Sequence, residues 1–202
     1  METIKTIELN KLRDEAYQIA VEHGWHDKDL SDEHFLCLVI SELMEAVQAE
    51  RKGKRADVAE FNEWQRNNIP FSEETRVRRF QEDFEAYIKD SVEDELSDVC
   101  IRIFDLAGLR GTSFSDIKFS FTHKEEYIQR RKEMTFTEWC YDIIRVICRY
   151  NKSKFPIAYL FIGILEEVSC MAQIKGFDLL FHIEQKMKYN RTRPRMHGNN
   201  KF

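Results

Sequence analysis

The chain has 202 residues, of which 43% are hydrophobic and 33% charged, a balance typical of a globular protein with a substantial core. Its net charge of −5 gives no support for a nucleic-acid polymer as partner. We find no apolar run that approaches a membrane span and no signal-peptide stretch near Met1, so we expect a cytoplasmic protein without a membrane partner. The five cysteines stand singly with no CxxC, which predicts small buried side chains in a reducing compartment and no zinc site.

Helical periodicity runs through almost the whole chain, and only 7 glycines and 3 prolines interrupt it. The pattern predicts a first helix over residues 4–22, which ends before Gly24. A second helix follows the N-cap Ser31 and runs to Lys52, before Gly53.

The middle of the chain is less regular. Residues 54–71 break the periodicity and form the least regular part of the chain. A highly charged helix then begins at Ser72. It either runs unbroken to Gly108 or breaks where Ser91 caps a new helix.

Residues 108–132 are predicted to be rich in loop, and the alternation over 114–121 fits either a short strand or an extended segment. Three more helices follow. A capping box predicts one over residues 135–150, a proline at the first position predicts another over 156–175, and the last covers 178–189.

Two carboxylate doublets with the same i, i+3 spacing stand inside these apolar helical patterns: Glu42 with Glu45, and Glu95 with Asp98. At about 100° per residue, the members of a doublet lie on one face, among the apolar residues that each helix must bury. Helices that bury these stripes against each other therefore bury their acids as well. Buried carboxylates repel one another, and Mg²⁺ resolves the conflict because it prefers oxygen ligands and pairs with phosphates. The doublets indicate phosphate chemistry at a magnesium site.

Three blocks of sequence carry a family resemblance. They read SELMEAVQA from Ser41, EDELSDVCIRIFDLAG from Glu93 and KMKYNRTRPRMHG from Lys186. In this order they resemble the MazG-like all-α nucleoside triphosphate pyrophosphohydrolases. The chain departs from the family pattern in two places: Ser41 stands where a glutamate is common, and residues 54–89 look like an insertion.

The resemblance implies a single all-α domain over residues 1–202, an antiparallel helical bundle with a charged insertion at about 54–89 and a basic C-terminal tail over 190–202. Family members cleave a nucleoside triphosphate between its α- and β-phosphates, releasing a nucleoside monophosphate and pyrophosphate. The cofactor implied is Mg²⁺, or Mn²⁺ in its place. The predicted metal ligands and catalytic residues are Glu42, Glu45, Glu95 and Asp98, one of which could instead orient the attacking water.

Four further residues are candidates for binding the nucleotide. Lys186 and Asn190 match a family pair that contacts phosphates. Arg193 could add a two-donor grip on the leaving pyrophosphate, or belong to a solvated basic tail. Trp25 could stack on the base, or pack its loop onto the core.

Several alternatives stay open. Asp105 and Arg102 either extend the metal or phosphate shell or pair with each other. A dUTPase-like or phosphoribosyl-ATP specificity would share the same acidic core, and a non-catalytic helical interaction module would keep the fold alone. A di-iron bundle needs Glu-x-x-His, which neither doublet has.

Apolar residues on more than one face of the second helix predict association into a homodimer or a larger homo-oligomer. We expect the insertion to lie at or near that interface because aromatic residues stand among its charges. These are Phe61, Trp64, Phe71, Phe80 and Phe84.

Overall fold

The computed structural model describes residues 9–66, 72–115, 119 and 122–196, and this part of the chain is all-helical. Its helices are α1 (Leu9–Glu22), α2 (Asp32–Arg51), α3 (Val58–Arg66), α4 (Glu73–Tyr87), α5 (Val92–Leu109), α6 (Glu125–Lys132), α7 (Phe136–Arg149), α8 (Ile157–Lys175) and α9 (Leu179–Thr192). The prediction of an all-α fold is confirmed. The strand considered for residues 114–121 falls largely outside the described residues.

α5 is the central helix, and α1, α2, α8 and α9 all pack against it. The contacts between α2 and α5 fix their relative direction. Arg110, just after α5, binds Asp32 at the start of α2, while Arg102 in the middle of α5 binds Glu42 in the middle of α2. The two helices that carry the acidic doublets therefore run antiparallel and bury their apolar stripes against each other.

α1 approaches α5 closely at Gly108. A Cβ atom added at Gly108 would lie 2.4 Å from the Cβ of Tyr17, far inside van der Waals contact. A short distance away, Arg13 Nη1 donates to the carbonyl oxygen of Thr112 at 2.7 Å. The packing of α1 on the central helix thus requires a residue without a side chain at this point.

α4 and α5 are separate helices, so the charged helix that begins after Ser72 does not run unbroken to Gly108. Ser91 caps α5, and its Oγ accepts a hydrogen bond from the backbone N–H of Asp94 at 3.2 Å. The capping box of Thr135 and Glu138 at the start of α7 is also present. Pro156, by contrast, is the N-cap of α8 rather than its first helical residue.

Two helices were missed at the sequence level. α3 lies in residues predicted to be irregular, and α6 lies in residues predicted to be loop. α6 has Ile128 as its buried side chain and is otherwise strongly polar, so its sequence offers almost no apolar periodicity. α9 runs three residues further than predicted, so the start of the supposed basic tail is helical.

The predicted insertion folds back onto its own chain. α3 and α4 pack together, and α4 packs on α9. Their apolar side chains form a second cluster, separate from the main core, of Phe61, Phe80, Phe84, Ile88 and Tyr189. Three of the phenylalanines that we expected near a subunit interface are therefore buried within one chain. Phe71 and the side chain of Trp64 lie outside the described residues.

α8 is apolar enough to qualify, by length and composition alone, as a membrane span, so the sequence-based statement that no run approaches one was too strong. Half of its most apolar window is buried inside the fold, and α8 packs against α5, α6 and α7. Within α8, Glu167 accepts a hydrogen bond from Trp139 Nε1 at 2.6 Å. A core helix of a globular fold accounts for these contacts.

The cysteines follow their prediction in part. Cys100, Cys140 and Cys170 are buried, as expected of small apolar side chains, whereas Cys37 and Cys148 are exposed. All five are free thiols.

Candidate metal centre

Three of the four predicted ligands converge. Glu42 comes from α2, and Glu95 and Asp98 come from α5; one oxygen of each lies within 4.8 Å of the other two. Glu42 and Glu95 are buried, and Asp98 is partly exposed. Three carboxylate oxygens at this spacing form a donor set that suits a hard divalent cation such as Mg²⁺ or Mn²⁺.

Glu45, the fourth predicted ligand, lies beside this trio rather than in it. Its side chain is exposed, and Ser41 Oγ donates to its Oε1 at 3.3 Å. Its charge nevertheless helps to raise the pKa of Glu95, so the two carboxylates are close. The i, i+3 spacing correctly predicts a shared face, but only one member of the α2 doublet points into the buried seam.

Burial changes the acidity of the trio. It is the main cause that raises the pKa of Glu42 to about 7 and that of Glu95 to about 9, and the charge of Asp98 adds to both shifts. Glu95 is therefore protonated at neutral pH when no cation is bound. A cation that binds here must displace a proton, so its affinity will rise with pH.

Arg102 is the cation that α5 itself supplies to this cluster. Its Nε donates to Glu42 Oε1 at 3.0 Å. Asp105, three residues further along, instead lies with its Oδ1 2.6 Å from His26 Nε2. The two residues thus have separate hydrogen-bond partners, although their charges still interact, and of the two only Arg102 contacts a carboxylate of the trio.

Lys186, which the family resemblance predicts to contact phosphates, lies at the acidic cluster. Its Nζ is 2.7 Å from Asp98 Oδ2 and 2.9 Å from Asp94 Oδ2, and the residue is only 6% exposed. Burial by itself would lower the pKa of the ammonium, but Asp98 and Asp94 outweigh burial and raise it. Lys186 is therefore a buried, charged ammonium shared by two carboxylates.

Asp94 was missed at the sequence level. It is 1% exposed, and its Oδ2 accepts hydrogen bonds from Lys186 Nζ and from the backbone N–H of Asp90, while its Oδ1 has no partner. Burial raises its pKa to about 6. With Asp90 and Glu95 it makes a second group of three carboxylates within 4.8 Å. The available signal was its i, i+4 spacing to Asp98, which puts both acids on one face of α5.

The other predicted binding residues have mixed outcomes. Asn190 follows Lys186 by one turn of α9, and its buried Oδ1 has no hydrogen-bond partner. The guanidinium of Arg193 lies 5.8 Å from the ring centre of Tyr189, and its carbonyl accepts from His23 Nε2 at 2.9 Å. Trp25 is half-buried in the link between α1 and α2. The roles of all four residues, Lys186, Asn190, Arg193 and Trp25, in nucleotide binding stay predictions.

Comparison with known proteins gives no match: none of the protein-family models, curated proteins or solved structures searched is similar to this chain. What the fold and the site define is an all-helical protein whose central helix and its antiparallel neighbour share a buried acidic cluster that could hold a metal ion.

Proposed function

We propose that the chain is a Mg²⁺-dependent nucleoside triphosphate pyrophosphohydrolase of the MazG-like type, able to use Mn²⁺ instead and serving nucleotide-pool sanitation. The observation that carries this proposal is the convergence of Glu42, Glu95 and Asp98, from two antiparallel helices, beside the ammonium of Lys186. Cytoplasmic location and the absence of membrane and nucleic-acid partners remain predictions.

The charge of the cluster favours a metal–phosphate ligand over either component alone. The cluster has five acidic side chains, those of Glu42, Glu45, Asp94, Glu95 and Asp98, but only two cationic ones, those of Arg102 and Lys186. A triphosphate by itself would be repelled by this excess of negative charge. A bound Mg²⁺ would neutralise phosphate charge and promote attack by water.

The residues of the site would have different roles. Glu42, Glu95 and Asp98 would hold the metal, and Arg102 holds the Glu42 carboxylate in place. Lys186 would donate to a non-bridging phosphate oxygen. The amide of Asn190, one turn further along α9, would contact the same phosphate chain.

Glu45 is the carboxylate best placed to accept the proton of the attacking water, because it lies beside the trio and faces solvent. The water oxygen forms a bond to the α-phosphorus while the bond from that phosphorus to the bridging oxygen breaks. The bridging oxygen leaves with the electron pair as part of pyrophosphate.

A panel of nucleotides tests this proposal. Canonical ribo- and deoxyribonucleoside triphosphates, dUTP, non-canonical triphosphates and phosphoribosyl-ATP are incubated with the protein and Mg²⁺, and pyrophosphate is resolved from orthophosphate. We expect pyrophosphate and a nucleoside monophosphate from at least one substrate, and none from Asp98→Asn. Orthophosphate as the only product, or no turnover of any nucleotide, would contradict the proposal.

The second candidate is a non-catalytic helical interaction module. The observation in its favour is a set of large exposed apolar side chains on the α7–α8 hairpin: Tyr141, Val146, Phe155 and Tyr159. The described phenylalanines of the insertion, Phe61, Phe80 and Phe84, are buried within the chain and do not add to this exposed set. Binding of a partner without turnover of any nucleotide would favour this alternative.

A further inference from the structure

We propose that Asp94 is a positioning residue for Lys186: it keeps the ammonium at the edge of the acidic cluster when a divalent cation occupies Asp98. This inference rests on the proposed function, because it concerns how the same site receives a triphosphate. It is carried by one juxtaposition, a single buried ammonium held between two carboxylates of α5 that lie in different surroundings.

The two carboxylates are not equivalent. Asp98 belongs to the metal trio with Glu42 and Glu95, and its side chain is 18% exposed. Asp94 is outside that trio, its side chain is 1% exposed, and the backbone N–H of Asp90 holds its Oδ2 at 2.9 Å. Asp94 also belongs to the second carboxylate group, with Asp90 and Glu95, but a cation in the trio with Glu42 would bind Asp98 and leave Asp94 to Lys186.

A cation on Asp98 competes directly with Lys186, since both need the same carboxylate and the two positive charges repel. Without a second anion, the ammonium would then be left as an uncompensated charge in a site that is almost closed to solvent, which is strongly unfavourable. The bond to Asp94 removes this penalty. It lets Lys186 give up Asp98 without leaving the site.

The release also frees a further N–H donor for a phosphate. An ammonium has three N–H donors. In the structure two of its contacts go to carboxylates of α5; after a cation takes Asp98, one contact to Asp94 remains and the other donors are available. They stand beside the metal ligands, where a phosphate oxygen of a metal-bound triphosphate would arrive.

The position of Lys186 is also supported from the insertion. Its Nζ lies 5.7 Å from the ring centre of Phe84, which is fully buried in the second cluster and stacks on Tyr189 of α9. Lys186 is therefore bounded by α5 on one side and α4 on the other.

The test is a double-mutant cycle on Asp94→Asn and Lys186→Met, read as KM and kcat for the best substrate with Mg²⁺. We expect Asp94→Asn to raise KM by about 10- to 100-fold, the scale of losing one charged hydrogen-bond partner, with a smaller change in kcat. In the Lys186→Met background, the same Asp94→Asn change should alter KM by less than about threefold, because Asp94 acts through the ammonium.

The matched control is Glu93→Gln. Glu93 is a buried acid of the same helical turn, but it pairs with Arg55 and with the backbone N–H of Ala56 rather than with Lys186. The Glu93→Gln variant should have a lower thermal midpoint of unfolding than wild type and a KM within about threefold of the wild-type value. An equal rise in KM for Glu93→Gln, or an Asp94→Asn effect that persists without Lys186, would show a general structural role and overturn the proposal.

A binding measurement separates this inference from the proposed function. Calorimetry with inorganic tripolyphosphate and Mg²⁺ should show at least tenfold weaker binding to Asp94→Asn than to wild type, whether or not wild type hydrolyses nucleotides. Turnover by wild type with no weakening in Asp94→Asn would reject the positioning role alone. Should Asp94→Asn fail to fold, Asp94→Glu keeps the charge but displaces it by one methylene, and unchanged binding in that variant would likewise reject the role.

Discussion

Glu95 combines burial with a place in the metal trio, so its substitution should affect stability and activity in opposite directions. Its pKa in the folded protein is about 9, against 4.5 as the ordinary value. A raised folded-state pKa contributes stability that is full below pH 4.5 and is lost as the pH rises through 9. The metal-free protein should therefore become less stable between these two pH values, and Glu42, with its pKa of about 7, adds to the same trend.

Glu95→Gln should lower kcat by about 10²- to 10³-fold, because it removes one of the proposed anionic ligands of the metal. The same change should raise the stability of the metal-free protein near pH 8 by roughly 1–3 kcal/mol and flatten its dependence on pH. Thermal melts from pH 5 to 9 with EDTA measure this. Glu184→Gln, an exposed acid on α9, is the control and should change neither property. If the thermal midpoint of Glu95→Gln fell with rising pH as steeply as that of wild type, the raised pKa assigned to Glu95 would be contradicted.

Glu42 and Glu45 are expected to separate metal binding from catalysis. Glu42→Gln should weaken Mn²⁺ binding by at least tenfold, because it removes a carboxylate of the trio. Glu45→Gln should leave Mn²⁺ affinity within about threefold while lowering kcat by about 10²-fold, the scale of a lost general base. Mn²⁺ titration followed by electron paramagnetic resonance, with steady-state kinetics on the same samples, gives both numbers. Equal losses of Mn²⁺ affinity would place Glu45 among the ligands.

At the scale of the elements, the packing of α1 on α5 depends on Gly108. Gly108→Ala should destabilise the fold by about 2–3 kcal/mol, since the new Cβ would meet the Cβ of Tyr17 and one helix must shift. Gly163→Ala is the matched control: it adds the same methyl group within a helix, at a site with nothing within 4 Å. That variant should be stabilised by about 0.5–1 kcal/mol through helix propensity. Chemical denaturation measures both, and similar values for the two would refute the close contact.

The stability of the whole fold should depend on the concentration of Mg²⁺. If Mg²⁺ binds the proposed site, whose carboxylates are assembled only in the folded chain, it should stabilise the fold by mass action, by about 2.7 kcal/mol at a concentration one hundred times its Kd. Because binding displaces protons from Glu42 and Glu95, the stabilisation should be larger at pH 8.5 than at pH 6. Differential scanning calorimetry across a Mg²⁺ titration at the two pH values tests this. A thermal midpoint that does not change with Mg²⁺ concentration at either pH would contradict the proposed metal site.

Association into a homodimer or larger homo-oligomer also stays a prediction. The residues that support it differ from those expected from the sequence. α7 packs on α2 and helps to cover its second apolar stripe, and the insertion's described phenylalanines are buried within the chain. The large apolar side chains that remain exposed in the described residues include Phe155 and Tyr159. Light scattering should report a dimer that Phe155→Ser with Tyr159→Ser dissociates. A monomer at high micromolar concentration would show that the added helices complete the core.

The sequence by itself determined the features that depend on local chemistry. The apolar period predicted most of the helices, Ser31, Ser91 and Thr135 marked three of their starts, and Gly176, with a φ of +77°, ended α8 as predicted. The period also placed Glu42 in a seam with Glu95, because a residue centred in an apolar stripe must follow that stripe into the core.

Only the tertiary structure decided what depends on neighbours distant in sequence. α3 and α4 are held by ring contacts with α9, and no local pattern records that partner. Glu45 was separated from the trio by its rotation around α2, a matter of degrees that an i, i+3 rule does not resolve. Asp94 acquired its importance from a lysine 92 positions away, and the i, i+4 spacing to Asp98 was the local signal that pointed to it. The helices could be predicted because helix formation is local, whereas the partners of buried charges are set by the packing of helices against one another.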